Sequence, residues 1–347
     1  SVGSTKCIGM VEKVSYMTSL ADGGVIMATG TPITNSITDC YVFQRYLQEG
    51  ELKLLNIHSF DNWVAMFAEK NEELEVDVDA KGYRMATRLS RFHNLPELTT
   101  ILANVADFHR LEKNKDLPEF NGYKDIVLKK TFELSQYIEE LSARSTLIRS
   151  GKVKRTVDNM LKVTTDGRLA ALDLRLVDPN TKQNKIFSKV YSCAERVCDL
   201  YIKTNLTKAT QLIFCDCSTP KEGFNIYDEL KGALLIFGIK SSEIAFIHEA
   251  KTENQRQRLF DKVNNGEIRI LIGSTFKLGL GVNVQKKLIA IHHLDVPWRP
   301  ADMIQREGRI IRQGNENKNK ANNESGIQTA EAAPKVPSKK SALAGLI

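Results

Sequence analysis

From about residue 185 onward, short apolar runs alternate with helical stretches at a nearly constant interval, and few architectures accept that rhythm. A helix pattern at 186–204 leads to QLIFCDC (211–217), a helix at 222–237, EIAFIH (243–248) and a helix at 252–264. IRILIGS (268–274), LIAIHHL (288–294) and a helix at 300–312 follow. Strands separated by helices of this length join as right-handed crossovers, which gives a parallel sheet covered on both faces. Residues 185–314 are therefore expected to form an α/β domain, with Thr252 and Gln255 as a capping box at the start of one helix.

The earlier part of the chain has another rhythm. GGVIMATG (23–30) has the pattern of a short buried strand ending at Gly30, and Asn35 through Leu47 reads as helix. Apolar spacing predicts further helices at 59–68, 96–113, 131–150 and roughly 156–176, with Lys152, Lys154 and Arg155 clustered at a junction, so this middle is mostly α. Beyond Gly314 the residues are Asn, Lys, Ser, Ala and Pro without a period, a composition expected to stay disordered. The expected organisation is 1–50, a helical region 51–184, the α/β domain 185–314 and a tail 315–347.

Composition excludes several function classes. The 347 residues are too many for a stapled mini-protein, and 42% apolar with 26% charged residues makes no case for wholesale disorder. Six cysteines without a paired C-x2-C spacing read as reduced intracellular thiols and give no metal site; Cys215 and Cys217 read as small core residues. The longest apolar run, ALLIFGI (233–239), falls far below the roughly 20 residues of a membrane span, so a cytoplasmic location is expected. A net charge of +7 permits a polyanionic partner without demanding one.

In a parallel sheet, ligands gather beyond the carboxyl ends of the strands, which directs attention to three segments. ATGTPITN (28–35) offers Thr29, Thr31 and Asn35 around a turn forced by Gly30 and Pro32; by itself it is either a functional loop or a Thr-rich turn before a helix. In GSTFKLGLGVNV (273–284), Gly279 and Gly281 let backbone amides approach a phosphate, and Ser274 and Thr275 add hydroxyls, although a ligand-free glycine turn has the same pattern. The third, DVPWRPADMIQREGRIIRQG (295–314), is read as one helix from Pro300 to Arg312. Gln305, Arg309 and Arg312 then share a face, while Ile304, Gly308 and Ile311 form an apolar stripe toward the sheet. Paired guanidiniums suit charge developing during phosphoryl transfer; a solvated basic face is the competing reading. His292 and His293 close a strand and read as packing residues, and Trp298, between two prolines, suits either stacking or wedging.

With these segments in this order, the chain resembles the Swi/Snf-type branch of superfamily two DNA helicases and translocases. ATGTPITN is similar to that family's motif III, LIFCDCST to motif IV, STFKLGLGVNV to motif V, and DVPWRPADMIQREGRIIRQG to its D-x-x-W-x-P element joined to motif VI. The helical middle, with VDNMLKVTTDGRLAALDLRLVDP, is closest to helicase regions attached to adenine-specific DNA methylases of phages and mobile elements. The resemblance implies a RecA-like parallel sheet flanked by helices, preceded by a mostly helical insertion, as the second lobe of a motor that clamps ATP with Mg2+ and tracks along DNA. It implies Arg312 as the finger on the γ-phosphate, Arg309 as its neighbour and Gln305 as a nucleotide or coupling contact. Gly279, Gly281 and Asn283 would lie near the ribose and phosphates. Thr29, Thr31, Asn35, Ser218, Thr219, Ser274, Thr275 and Trp298 would serve DNA contact or coupling.

Two family elements are absent: no G-x-x-x-x-G-K-S/T occurs, and Asp228-Glu229-Leu230-Lys231 lacks the apolar strand and the order of a D-E-x-H box. Asp178-Pro179-Asn180 lacks the aromatic residue of a methylase D-P-P-Y motif. The chain, which begins at Ser1, is thus expected to be the end of lobe one, an insertion and lobe two, inactive alone and completed by a first lobe or parent polypeptide, possibly one with a methylase domain. The rival expectation is a non-catalytic module that binds DNA or a partner.

Overall fold

The computed structural model describes residues 5–20, 24–30, 32–33, 36–76, 83–108, 117–118, 123–154, 156–278, 282–317 and 329–331. They belong to two compact units, Ser1–Glu112 and Lys113–Ile347, so the division falls inside the 51–184 segment that the sequence treats as one region.

In the first unit, α1 (Thr5–Ser19) precedes α2 (Asp39–Leu47), α3 (Glu49–Leu54), α4 (Phe60–Phe67), an antiparallel hairpin of β1 (Ala68–Val76) and β2 (Tyr83–Phe92), and α5 (Leu95–Ala103). Ser59 caps α4 by accepting from the Asn62 amide. Leu52, Trp63, Phe67 and Leu98 form the core. A buried amide chain crosses it: Trp63 Nε1 donates to Gln44 Oε1 at 2.7 Å, and Gln48 Nε2 donates to the Ile101 carbonyl at 2.6 Å.

Two expectations fail here. Residues 24–29 form no strand and Ile26 is 97% exposed; among the described residues of this unit the only sheet is the hairpin, so an extended segment there has no neighbour for its backbone groups. The hairpin itself interrupts the helical middle. Its Glu-rich first strand has little intrinsic β preference, but pairing across the ladder sets Glu69 opposite Arg91 and overrides propensity.

The second unit contains β3 (Tyr123–Asp125), α6 (Phe132–Arg149), α7 (Met160–Leu172), α8 (Lys189–Lys203), β4 (Thr210–Phe214), α9 (Ile226–Ile236), β5 (Ile244–Phe246) and α10 (Glu253–Asn265). β6 (Ile270–Gly273), α11 (Thr275–Leu278), β7 (Leu288–His293), α12 (Pro300–Glu307) and β8 (Thr329–Glu331) complete it. All pairings are parallel, in the order β3-β8-β7-β4-β6-β5. This is the parallel α/β sheet that the alternation announces, with the RecA-like architecture that the resemblance implies.

Period-two geometry explains the two cores. Ile213, Cys215, Ile270 and Ile272 face α8 and α9, whereas Leu212, Phe214, Leu271 and Ile291 face Phe260 and Val263 of α10 with Leu278, Val282 and Ile310. Cys215 is a core residue, and Cys217 packs at the margin of the same cluster. Cys40, Cys193, Cys198, Cys215 and Cys217 are free thiols. The capping box of Thr252 and Gln255 forms on α10 as the sequence indicates.

At the amino-terminal edge of the sheet, Arg269 is fully buried. Its guanidinium lies 4.0 Å from the Tyr201 ring centre and donates to the carbonyls of Tyr201 and Ala209 and to Thr204 Oγ1. Burial holds its pKa below the ordinary arginine value.

Residues 315–317 and 329–331 also differ from expectation. Asn315 Nδ2 donates to the Leu288 carbonyl at 2.8 Å and Asn317 Nδ2 to that of Lys287 at 3.0 Å, while 329–331 add a strand beside β7. Asparagine amides here satisfy carbonyls at the start of β7, which composition alone does not reveal. Among the described residues no helix is long and apolar enough to cross a membrane.

Gly266 closes α10 at φ +81°, and a Cβ there would lie 2.8 Å from both Cβ and O of Lys208. Gly266→Ala should therefore cost at least about 1 kcal/mol, read as a lower urea midpoint at unchanged slope.

Candidate functional site

The carboxyl ends of β4, β6 and β7 converge on one side chain, Arg306 in the last turn of α12, which is 0% exposed. Asp295, after β7, accepts the backbone N–H groups of Asp216 and Cys217 through Oδ2, each at 2.6 Å. Asp216, after β4, accepts from the Thr275 amide through Oδ1 at 2.6 Å and from the Thr275 hydroxyl through Oδ2 at 2.7 Å. Arg306 joins all three segments. Its Nε donates to Thr275 Oγ1 at 2.7 Å, Nη1 to the Asp295 carbonyl at 2.8 Å and to His293 Nδ1 at 3.3 Å, and Nη2 to Asp216 Oδ2 at 2.7 Å and Asp295 Oδ1 at 3.1 Å.

The guanidinium also lies 5.1 Å from the Phe214 ring centre. Because arginine only donates, His293 must accept at Nδ1 and carry its proton on Nε2. Burial, followed by the charge of Arg306, pushes His293 down to about 3; burial pushes His292 down to about 4. Lys189 is lowered by burial, against the attraction of Asp295, and Cys217 is pushed up to about 12 by burial and the same carboxylate.

The network sets how α12 ends. The sequence predicts a helix through Arg312; the structure stops it at Glu307, with Gly308 as cap and turns from 308 to 312. Glycine is a weak helix former, and the turns allow Ile310 to enter the apolar core while Arg306 stays under the sheet edge. The predicted apolar stripe holds only at Ile311, which packs against the core: Ile304 is 57% exposed, Gly308 is exposed and meets only its own helix, and Ala301, Arg306 and Ile310 point inward.

Arg309 and Arg312 nevertheless come together. Arg309 Nη1 and Arg312 Nη1 donate to the same acceptor, the Val282 carbonyl, at 3.1 and 3.0 Å. Both side chains are half-buried. Burial, and then the charge of Arg312, hold the Arg309 pKa below its ordinary value. Two guanidiniums held this close form a site of positive potential that an anion would relieve.

Gln305 is half-buried on α12, and Asn283 is exposed beside Val282. Trp298 is 61% exposed with the Arg168 guanidinium 4.6 Å from its ring centre; Arg168 also donates to the Val296 carbonyl at 2.7 Å. Thr219 is exposed. Three expected contacts point elsewhere. Ser218 is buried and accepts from the Ile226 amide, starting α9; Ser274 is buried and accepts from the Lys277 amide; Thr275 is engaged by Asp216 and Arg306. The Ser218 and Ser274 hydroxyls accept amides at the starts of helices, while the Thr275 hydroxyl is spent on the ionic network. Thr29 is exposed in the first unit, and Thr31, Asn35, Gly279 and Gly281 lie outside the described residues. Among the described residues no group of three or more His, Cys, Asp or Glu is placed to hold a metal ion.

With this geometry in place, the family comparison decides the matter for the second unit: residues 193–314 match the helicase conserved C-terminal domain. They form a helicase-related lobe. Residues 1–110 match a family described as a probable helicase domain. No curated protein matches the sequence. Among solved structures, the C-terminal part of the Fun30 ATPase domain is 21% identical with a TM-score of 0.32, over 50% of this chain and 54% of that one. Two structures of the DUF1998 helicase MrfA, one bound to DNA and one to DNA and AMPPNP, are 17% and 16% identical, each with a TM-score of 0.30. They cover 44% of this chain and 20% and 19% of theirs, so the chain spans about half the length of the Fun30 structure and about a fifth of MrfA.

Two outcomes follow from the helicase-related lobe's buried network. Arg306→Ala should destabilise it by about 3–5 kcal/mol in urea unfolding, because Asp216 and Asp295 would keep their charges without a cation. His293 must stay neutral when folded but takes a proton near 6.5 when unfolded, so stability should be complete above pH 6.5 and fall as pH drops toward 3. Calorimetry between pH 6.5 and about 5, above the carboxylate range, should show this slope, and His293→Gln should make it shallower, leaving the share of His292, which burial also keeps neutral.

Proposed function

We propose that this chain supplies the second-lobe half of an ATP-dependent DNA helicase or translocase of the Swi/Snf type, with Arg312 as the arginine finger and Arg309 beside it. The observation that carries the reading is the convergence of both guanidiniums on the Val282 carbonyl at the ligand edge of the sheet. The helicase C-terminal match supports it by covering the same residues.

The donor set fits a triphosphate. Two permanent cations, whose planar forks match phosphate oxygens, stand at a strand-end edge where a neutral carbonyl holds them at rest. On nucleotide binding, Arg309 and Arg312 would exchange that carbonyl for phosphate oxygens and offset the charge that develops on the γ-phosphoryl group. Magnesium entering with the nucleotide would supply further neutralisation of phosphate charge. Gln305 and Asn283 would contact nucleotide beside the pair, with the backbone of Gly279 and Gly281. Thr29, Thr31 and Asn35 belong to the coupling part of the proposal.

For DNA the reading assigns backbone contacts, which are sequence-independent and weaken as salt rises. Trp298 and Thr219, exposed in the second unit, are the side chains of this reading that are open to a strand. The phosphate cradle and magnesium box would come from a first lobe, since neither motif occurs in the sequence. The likeness of residues 157–179 to helicase regions joined to adenine-specific DNA methylases makes a methylase the companion domain to test first.

The deciding measurement is DNA-stimulated ATP hydrolysis by this chain with a first lobe supplied. Arg312→Ala should lower turnover by about 10³-fold or more while DNA binding persists. Turnover unchanged in that variant would overturn the finger assignment. No hydrolysis from any pairing, with DNA binding intact, would make the chain a non-catalytic binding module.

A further inference from the structure

Arg306 spends all five of its N–H donors inside the protein: one on Thr275, two on the Asp295 carbonyl and His293, and two on Asp216 and Asp295. Fully buried and saturated, it has no donor left for a nucleotide or for DNA. Yet the two arginines that the proposed function sets against phosphate follow it closely in the chain. The Arg309 amide donates to the Arg306 carbonyl at 3.2 Å, and Ile310 enters the apolar core one residue later. On the acceptor side, Thr275 opens α11, whose Leu278 packs in the same apolar cluster as Val282 and Ile310, and the Val282 carbonyl receives Arg309 and Arg312. Both the chain that carries the donors and the chain that carries their acceptor are therefore referenced to one guanidinium.

We propose that Arg306 is a positioning residue: through Asp216, Thr275 and Asp295 it locks the exit of α12 against α11 and the apolar cluster that holds Val282, so that Arg309 and Arg312 are held at a fixed spacing and direction before any anion arrives. The claim about geometry stands on the contacts alone; its consequence for hydrolysis rests on the proposed function. Preorganisation of this kind matters because a displacement of about 1 Å at a reacting group can cost about 10²-fold in rate.

A purely structural role makes a different prediction, and a variant in which the whole ionic network is neutralised separates the two. Arg306→Met with Asp216→Asn and Asp295→Asn removes the ionic network while keeping side-chain volume, and replacements of this type are often neutral for stability. The first readout on the full chain is nitrogen-detected NMR of the arginine side chains. In the native protein, slow rotation about Nε–Cζ should give resolved Nη–H signals for Arg309 and Arg312. In the triple variant, with its thermal midpoint near the native one, those signals should average. Signals identical to the native protein's would overturn the proposal.

Should the triple variant fail to fold, Arg306→Lys serves instead. An ammonium retains attraction to Asp216 and Asp295 but cannot span Thr275, His293 and both carboxylates at once. Averaged Arg309 and Arg312 signals support the proposal, and native-like signals overturn it. The second readout is hydrolysis with a first lobe supplied: kcat should fall about 10²-fold in the folded variant at unchanged KM, and full recovery of kcat together with stability would overturn positioning. Averaged signals alongside an Arg312→Ala variant of native turnover would leave the positioning claim standing and remove the finger assignment instead.

Discussion

A single buried cation between two carboxylates organises the ligand edge of this protein. Asp216 and Asp295 sit at the ends of neighbouring parallel strands, where the last backbone amides run out of partners; each carboxylate turns back to accept N–H groups of the chain. Two negative charges in that position require a counter-charge, and Arg306 provides it from a helix that follows β7. The consequence is geometric. The three loops that carry the helicase-like motifs of the second unit do not merely approach one another; they share hydrogen-bond partners, so displacing one displaces the others.

Much of the second unit was legible because its signals are redundant. Apolar runs alternate with amphipathic stretches, caps such as Thr252 with Gln255 mark the helix starts, and odd and even strand positions sort cleanly into two cores. The approach of Arg309 to Arg312 was legible too, although by a different path. A continuous helix was expected to stack them; turns after Gly308 bring them together instead. Sequence spacing carried the right pair through the wrong local geometry.

What escaped sequence reasoning was decided by partners distant along the chain. Arg306 looks like one more cation in QREGRIIR, and nothing local distinguishes it from Arg309; burial against residues 216 and 295 does. A usable signal existed, since LIFCD and HHLD each end an apolar strand with an aspartate, and two such acids call for a buried base. Ser218, Ser274 and Thr275 were read as outward hydroxyls, but the open amides of Ile226 and Lys277 claim the two serines, and the buried pair Asp216 and Arg306 claims Thr275. The hairpin of the first unit was missed for the opposite reason: its residues favour helix locally, and only the facing strand overrules them.

Arg269 gives the sheet a second fastening. At the edge remote from the ligand loops, its guanidinium gathers carbonyls from the end of α8 and the start of β4, as Arg306 gathers carboxylates at the other end. With a guanidinium fastening each rim, a slip of β4 along β6 would have to break side-chain contacts at both ends of the pair at once.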